Sequence, residues 1–178
     1  MCLDETGFLM APLLRRTWGR RGLTPTLGVR ARSHEKVSGI GALIVSPQRR
    51  RITLALALHT KTNIRGPQVL RFLRRLRRHL RGTVVLVWDL GNPHKHRLVR
   101  AWLARHPCWH VVWFPPYAPE LNPAEQLWTY LKYGRLANFA PDDLDGIRRA
   151  VTRERRRLAR RPMLLRNLFR HSTLPFRV

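Results

Sequence analysis

The alternation of hydrophobic and polar residues in the first third of the chain predicts three strands. Residues 37–45 (VSGIGALIV) and 52–58 (ITLALAL) are apolar runs of strand length. A short polar turn separates them, which predicts an antiparallel pair. Residues 1–8 (MCLDETGF) are interpreted as the end of a strand that carries an acidic pair beginning at Asp4.

The middle of the chain alternates between helix and strand patterns. Residues 67–81 predict an amphipathic helix with an arginine-rich outer face, and the apolar run 83–88 (TVVLVW) predicts a strand buried on both faces. A helix is predicted to start at Asn92, and residues 109–114 predict the strand that completes a β-α-β unit. In open α/β sheets, ligands bind beyond the carboxyl ends of such strands, where Asp89 is expected.

The stretch 114–132 (FPPYAPELNPAEQLWTYLK) combines the end of a strand with the start of a helix. Its prolines stop the strand, and Asn122 followed by Pro123 is typical of an N-cap and a first helical position. Apolar residues at helical spacing then form a core-facing stripe, and Glu125 lies beside it on the first turn. Two roles are open for Glu125: a capping-box glutamate bonded to the Asn122 amide, or a functional carboxylate.

The last third of the chain is predicted to be helical and basic. Asp142, Asp143 and Asp145 suit the positive end of a helix dipole, and arginine dominates the outer face that follows. At 178 residues the chain is predicted to be one domain, with a core over about 1–135 and a basic helical C-terminal extension over about 136–178.

Arginine dominates the composition, with 35 Lys plus Arg against 10 Asp plus Glu and a formal net charge of +25. Such an excess destabilises a compact domain by self-repulsion unless a polyanion shares its surface, which favours nucleic acid as the partner. A membrane surface is the competing partner, but the apolar faces of the basic helices are typical of ordinary core stripes. The residues predicted to contact nucleic acid are Arg71, Arg74, Arg75, Arg78, His94, Lys95, Tyr117 and Lys132.

The remaining composition bounds the compartment and the core. Two cysteines form no disulfide framework, no apolar run is long enough to span a bilayer and no signal peptide is present, so a cytoplasmic location is predicted. Four tryptophans on apolar stripes are predicted core residues: Trp88, Trp102, Trp113 and Trp128. Trp18 and Tyr117 fall in predicted loops and are candidates for stacking on unpaired bases.

Three acidic residues, Asp4, Asp89 and Glu125, occur where an apolar strand ends or a helix begins. Two unit charges about 4 Å apart repel by about 4 kcal/mol at an effective dielectric near ~20, so a cluster of three carboxylates needs cations. Arginines would make it a structural salt-bridge cluster, whereas divalent metal ions would make it a phosphodiester-cleaving site. Composition leaves both open.

Three motifs in order, LDETGF, VVLVWDLGNPHKH and FPPYAPELNPAEQLWTYLK, resemble the catalytic domain of mariner-like insertion-sequence transposases over residues 4–132. These are DDE enzymes with a ribonuclease-H-like (retroviral-integrase-like) α/β fold, a mixed sheet flanked by helices. The resemblance implies that Asp4, Asp89 and Glu125 form a catalytic triad that binds two Mg²⁺ (or Mn²⁺) ions. It implies metal-dependent DNA strand cleavage and strand transfer during transposition.

The implied partners are double-stranded DNA at the element ends and the target, a separately encoded helix-turn-helix half, and a second copy of the chain, at the bacterial nucleoid. The family usually has Asn directly after the second Asp, where this chain has Leu90. It also places a helix-turn-helix region ahead of the first motif, whereas Met1 falls inside the expected first strand here. The chain is expected to be a catalytic half, a second reading frame of a split element or a decayed remnant. A non-catalytic, basic nucleic-acid-binding protein is the alternative from another class.

Overall fold

The computed structural model describes residues 1–29 and 35–174 of the chain. Its strands are β1 (Cys2–Leu9), β2 (Lys36–Val45), β3 (Ile52–Thr60), β4 (Val84–Trp88) and β5 (Trp109–Trp113). They form one sheet in the order β3-β2-β1-β4-β5. β2 pairs antiparallel with β1 and β3, whereas β4 pairs parallel with β1 and β5, so the predicted mixed sheet is confirmed.

Five α-helices flank the sheet within the described residues. They are α1 (Gly66–Arg77), α2 (Arg97–Ala104), α3 (Pro123–Thr129), α4 (Leu144–Ala159) and α5 (Pro162–Arg170). A 3₁₀ turn at Pro119–Leu121 precedes α3, and a π-helical segment, Tyr130–Arg135, follows it. None of these helices combines the length and the apolar character that a bilayer crossing requires.

The sheet separates two hydrophobic cores, because alternate residues of a strand point to opposite faces. On one face, α1 and α2 cover a cluster that includes the fully buried Leu3 and Leu86. On the other face, α3, α4 and α5 cover a cluster that includes Leu43 and Leu54. The basic helices α4 and α5 thus share a core with α3, and the division of the chain near residue 135 stays a prediction.

The predicted burial of β4 on both faces is wrong. Leu86 and Trp88 are fully buried beneath the first two helices, but Val85 is 48% exposed on the opposite face. Val112 on the neighbouring strand is also exposed, because α3, α4 and α5 pack on β1, β2 and β3. Trp113, a predicted core residue, is 41% exposed at the end of β5, where it stacks on Trp88.

Two helices differ from their predicted limits. α1 ends at Arg77, about one turn earlier than the sequence predicts. α2 begins at Arg97 with His96 as its N-cap, and not at Asn92. The reason is a turn over residues 92–95, in which two successive amides donate to the carbonyl oxygen of Gly91. This turn folds the chain back toward β4.

The start of α4 confirms the predicted role of the clustered aspartates, since an oxygen of Asp143 accepts the Gly146 amide at 2.6 Å. Further along this helix, Glu154 is 5% exposed and accepts from Arg135 Nε at 2.8 Å. This ion pair ties α4 to the π-helical segment.

Candidate active site

The three predicted site carboxylates line a single cleft of about 360 Å³. Asp4 lies in β1, Asp89 follows the end of β4, and Glu125 occupies the first turn of α3. Because β1 and β4 are adjacent and parallel, the chain after β4 emerges beside the strand that carries Asp4. The segment 114–119 and Asn122 complete the walls.

Asp4 is the most buried of the three carboxylates, with 6% of the residue exposed. The sequence suggested that Asp4 lies at the end of its strand. In the structure it lies within the strand, because β1 continues to Leu9. Burial first, and then the negative charges of Glu125 and Glu5, raise the pKa of Asp4 to about 8. A hydrogen bond from Trp128 Nε1 to Asp4 Oδ2 at 2.9 Å opposes this rise and fixes the carboxyl group in place.

The Trp128 indole fits against Asp4 only because residue 41 is a glycine. Gly41 is the β2 residue paired with Asp4. A Cβ at this position would lie 2.6 Å from Trp128 Cη2 and 3.1 Å from Cζ2, closer than side-chain packing allows. The glycine therefore lets an aromatic ring on α3 contact the strand directly and donate to the carboxyl group.

Gly41→Ala is expected to destabilise the protein by about 1–3 kcal/mol, because the indole must move away from β2 and weaken its hydrogen bond to Asp4. Urea unfolding followed by tryptophan fluorescence measures the change. Gly7→Ala is the matched control on β1, since its Cβ would meet Lys36 Cδ at an ordinary 3.4 Å. Equal stability changes for the two variants would contradict this assignment.

Asp89 has a half-exposed side chain that is anchored at one oxygen. Its Oδ1 accepts the Gly91 amide at 2.9 Å and lies 2.8 Å from His94 Nδ1. The hydrogen bond from His94 is the main reason that the pKa of Asp89 lies below its usual value. Both contacts use Oδ1, and neither engages Oδ2.

His94 bridges two acidic residues from the interior of the protein. It is 1% exposed, stacks on Trp88 at a centroid separation of 4.3 Å, and places Nε2 2.9 Å from Glu5 Oε1. Burial lowers the pKa of His94, but the hydrogen bonds to Asp89 and Glu5 outweigh burial and raise the pKa to about 10. The ring is therefore an imidazolium that neutralises part of the acidic cluster. Its burial corrects the prediction that His94 contacts nucleic acid.

Of the two roles left open for Glu125, the capping box is not formed. Asn122 caps α3 as expected, with Oδ1 accepting the Ala124 amide at 3.1 Å. The backbone amide of Asn122, which a capping-box glutamate would bind, instead donates to the Pro119 carbonyl oxygen at 3.0 Å. The Glu125 side chain is partly buried at the cleft, close enough to Asp4 to raise that residue's pKa.

Within the described residues, the cations beside the carboxylates of the cleft are His94 and Lys132. Lys132 is half-buried, and burial lowers its pKa against the opposing charges of Glu125 and Asp4. Among the described residues, no arginine forms an ion pair with any of the three carboxylates. The arginine salt-bridge cluster that composition left open is therefore not what this part of the chain forms.

The other predicted nucleic-acid contacts divide between two places. Lys95 is exposed near Asp89, and Tyr117 is fully exposed on the wall of the cleft. The four predicted arginines are also exposed but lie away from the cleft. Arg71, Arg74 and Arg75 lie on α1, which flanks β2 and β3, and Arg78 is the C-cap of that helix.

The carboxylates suit a hard divalent cation, although no group of three His, Cys, Asp or Glu side chains in the described ranges is already arranged to hold one. Three carboxylates without a thiolate are the ligand type that Mg²⁺ and Mn²⁺ prefer. Burial is the main cause of the raised pKa of Asp4, and repulsion by the charges of Glu125 and Glu5 adds to it. A cation added there would relieve this repulsion.

Sequence reasoning missed three residues that shape the cleft. Glu5 was not assigned a role, Trp128 was expected only to fill the core, and Gly41 had no predicted function. The indole gave a usable signal, because a buried Trp N–H normally finds an acceptor. Glu5 and Gly41 gave none, since their roles depend on residues far away in the chain.

Comparison with known proteins relates this fold to one group of enzymes. The sequence profile described as DDE superfamily endonuclease matches residues 1–148. No curated protein matches the chain. Solved structures do match, and they share 16–18% sequence identity with it.

The structure is similar to the Mos1 mariner paired-end complex with Mn, at 18% identity and a TM-score of 0.69, covering 95% of this chain and 50% of that chain. It is also similar to the Mos1 paired-end complex with the left transposon end, at 17% identity and a TM-score of 0.64. That match covers 97% of this chain and 55% of the Mos1 chain. The catalytic domain of Mos1 mariner transposase matches at 16% and 0.56, covering 80% and 76%. These likenesses show a ribonuclease-H-like fold. The chain spans about half the length of the chains in the Mos1 complexes.

Proposed function

The chain belongs to the DDE superfamily of endonucleases, and we propose that it is the catalytic domain of a mariner-like insertion-sequence transposase. In this proposal Asp4, Asp89 and Glu125 hold two Mg²⁺ or Mn²⁺ ions and cleave and rejoin DNA strands. The observation that supports it most is the convergence of these carboxylates, from β1, β4 and α3, on one cleft. The Mos1 complexes that share the fold contain transposon ends, and one contains Mn.

When bound, the ions supply Lewis-acid stabilisation of the phosphodiester and an activated water nucleophile. The side chains around them position the ligands. Trp128 Nε1 donates to Asp4 Oδ2, so Asp4 would keep its position on losing its proton to bind an ion. His94 holds Asp89 Oδ1, so Oδ2 would be the oxygen available to an ion.

The remaining cleft residues would receive the DNA. Tyr117 is exposed on the wall and offers an aromatic face for an unpaired base at the cleavage point. Lys95 and Lys132 would contact phosphates on either side of the triad. The partners proposed for the domain are element ends and target DNA, a helix-turn-helix half and a second copy of the chain, at the bacterial nucleoid.

Nicking of supercoiled plasmid in Mg²⁺ or Mn²⁺ tests this function. Glu125→Gln is expected to lower the rate at least about 100-fold, since a lost ligand charge removes about 3 kcal/mol of transition-state stabilisation. Glu120→Gln is the matched control, because Glu120 is exposed in the adjacent 3₁₀ turn and does not line the cleft. A folded wild type that binds DNA but nicks it with neither ion would favour the non-catalytic binding protein.

A further inference from the structure

A second concave surface lies at the open edge of the sheet, separated from the cleft by β2 and β1. Here β3 forms the floor, α1 flanks it on one face of the sheet and α4 on the other. They enclose a groove of about 380 Å³, which we call the edge groove. Its charged residues are Arg71 and Arg75 from α1 and Arg148 and Arg155 from α4.

The edge groove carries positive charge that the described residues do not neutralise. No described carboxylate pairs with Arg71, Arg75 or Arg155. Arg148 contacts Asp145 at 2.8 Å, but both side chains are more than half exposed, so solvent screens the pair. Burial and then the charge of Arg71 lower the pKa of His59 on the floor, which is consistent with uncompensated positive charge there.

The groove also has hydrogen-bond donors and a basic continuation. Gln68 and Thr152 lie among its arginines and can donate to uncharged or anionic oxygens. A second hollow begins at the same Arg148 and Thr152 and continues along α4 as a row of arginines. This row is formed by Arg149, Arg153, Arg156, Arg157, Arg160 and Arg161.

Protection of an edge strand is the simpler explanation for charged residues beside β3. Edge protection accounts for a few charged residues beside β3. It does not account for arginines from both α1 and α4 in a groove whose lining contains no acidic residue. It also does not account for the row along α4, which continues beyond the edge strand. A polyanion that follows both helices accounts for the whole arrangement.

We propose that the edge groove binds the sugar-phosphate backbone of duplex DNA, as a contact separate from the strand in the cleft. Arg71 and Arg75 are one helical turn apart, about 6 Å along the axis, so both guanidinium groups can reach phosphates of one strand. Arginine binds phosphate through two parallel hydrogen bonds, and such contacts carry no base sequence. The proposal rests on the proposed function for the choice of DNA, and it assigns a second duplex segment to a second site.

The test measures duplex binding without metal, so that cleavage plays no part. The triple variant Arg71→Gln/Arg75→Gln/Arg155→Gln is compared with Arg97→Gln/Arg100→Gln/Arg105→Gln, which removes three exposed charges at α2. Fluorescence anisotropy with a labelled duplex of about 30 base pairs in EDTA gives affinity against salt, and thermal melting followed by circular dichroism checks folding. The groove variant is expected to lose about 10- to 100-fold in affinity and to lower the salt slope by about 2–3, because each phosphate contact contributes about 0.9.

Several outcomes overturn the proposal: equal losses in the two triple variants, an unchanged groove variant, or equal competition by a single-stranded oligonucleotide of the same length. If the triple variant does not fold, Arg75→Gln and Arg155→Gln are each expected to lower the slope by about 1, and unchanged slopes overturn it. Plasmid nicking is scored separately. A protein that binds through the groove but never nicks refutes the proposed catalysis and leaves the groove standing.

Discussion

Asp4→Asn is expected to raise the stability of the metal-free protein at pH 8 by several kcal/mol while abolishing metal-dependent cleavage. Burial and the charges of Glu125 and Glu5 raise the pKa of Asp4 from 3.8 to about 8 in the folded protein. Between these pH values the folded protein binds a proton that the unfolded chain has released. Wild-type stability therefore falls as pH rises from about 4 to 8, by an amount on the order of 5 kcal/mol.

Asparagine removes this loss without changing the shape of the site. Its side-chain oxygen still accepts from Trp128 Nε1, so the indole keeps its partner. At pH 4 the difference between the two proteins is expected to be small, because Asp4 is protonated in the folded wild type and about half protonated in the unfolded chain. The difference is expected to grow up to pH 8.

Urea unfolding in EDTA from pH 4 to pH 9 measures this difference. Asp145→Asn is the control, because this exposed residue of α4 is outside the cleft and its replacement is expected to leave the pH dependence unchanged. Added Mg²⁺ is expected to stabilise the wild type at pH 8, as the ion displaces the proton from Asp4, and to stabilise Asp4→Asn much less. An Asp4→Asn variant less stable than wild type at pH 8 would show that the carboxylate is matched by a cation.

Much of the fold follows from the local pattern of the sequence. Strand and helix positions depend on residues close together in the chain, so the antiparallel pair, the β-α-β unit and the Asn122 cap were all predictable. The position of Asp4, Asp89 and Glu125 at one cleft was also predictable, because three motifs resemble a family in which these residues form a triad.

The errors arise where a distant contact overrides local preference. Asn92 has the chemistry of an N-cap, but the turn at 92–95 instead brings His94 beneath Asp89, where Glu5 of β1 completes its hydrogen bonds. That pairing joins residues 89 positions apart. The exposure of Val85 depends likewise on which strands the last three helices cover, and no local pattern records that choice.

The type of side chain that neutralises the carboxylates decides whether the cleft stays open. Composition left open whether arginines or divalent metal ions neutralise the carboxylates, and His94 and Lys132 are the side-chain cations beside them in the described residues. An imidazolium held on Asp89 and Glu5 from within the protein neutralises charge without occupying the cleft. The side of the carboxylates that faces the cleft is thus unobstructed, as the proposed metal and phosphate binding would require.

Asp89→Asn is expected to abolish cleavage as completely as Asp4→Asn but to change stability in the opposite direction. Removing this ligand charge is expected to lower the nicking rate by about 1,000-fold or more, equivalent to about 4 kcal/mol or more of transition-state stabilisation. Carboxylate repulsion alone predicts from the sequence that the metal-free variant is no less stable than wild type. The contact at 2.8 Å between Asp89 and the buried His94 imidazolium reverses this prediction.

The loss of this partner is expected to destabilise the metal-free protein by about 1–2 kcal/mol. The value is below that of a fully buried pair because the Asp89 side chain is 56% exposed. Urea unfolding in EDTA at pH 7 measures it. His94→Gln and the double variant complete a cycle, in which Asp89→Asn should cost much less once the imidazolium is gone. Equal losses in both backgrounds, or a gain in stability for Asp89→Asn alone, would mean that His94 does not hold Asp89. If both variants lose cleavage, a gain in stability for Asp4→Asn would show that Asp4 is under unrelieved repulsion. A loss of stability for Asp89→Asn would show that Asp89 is held in an ion pair with His94.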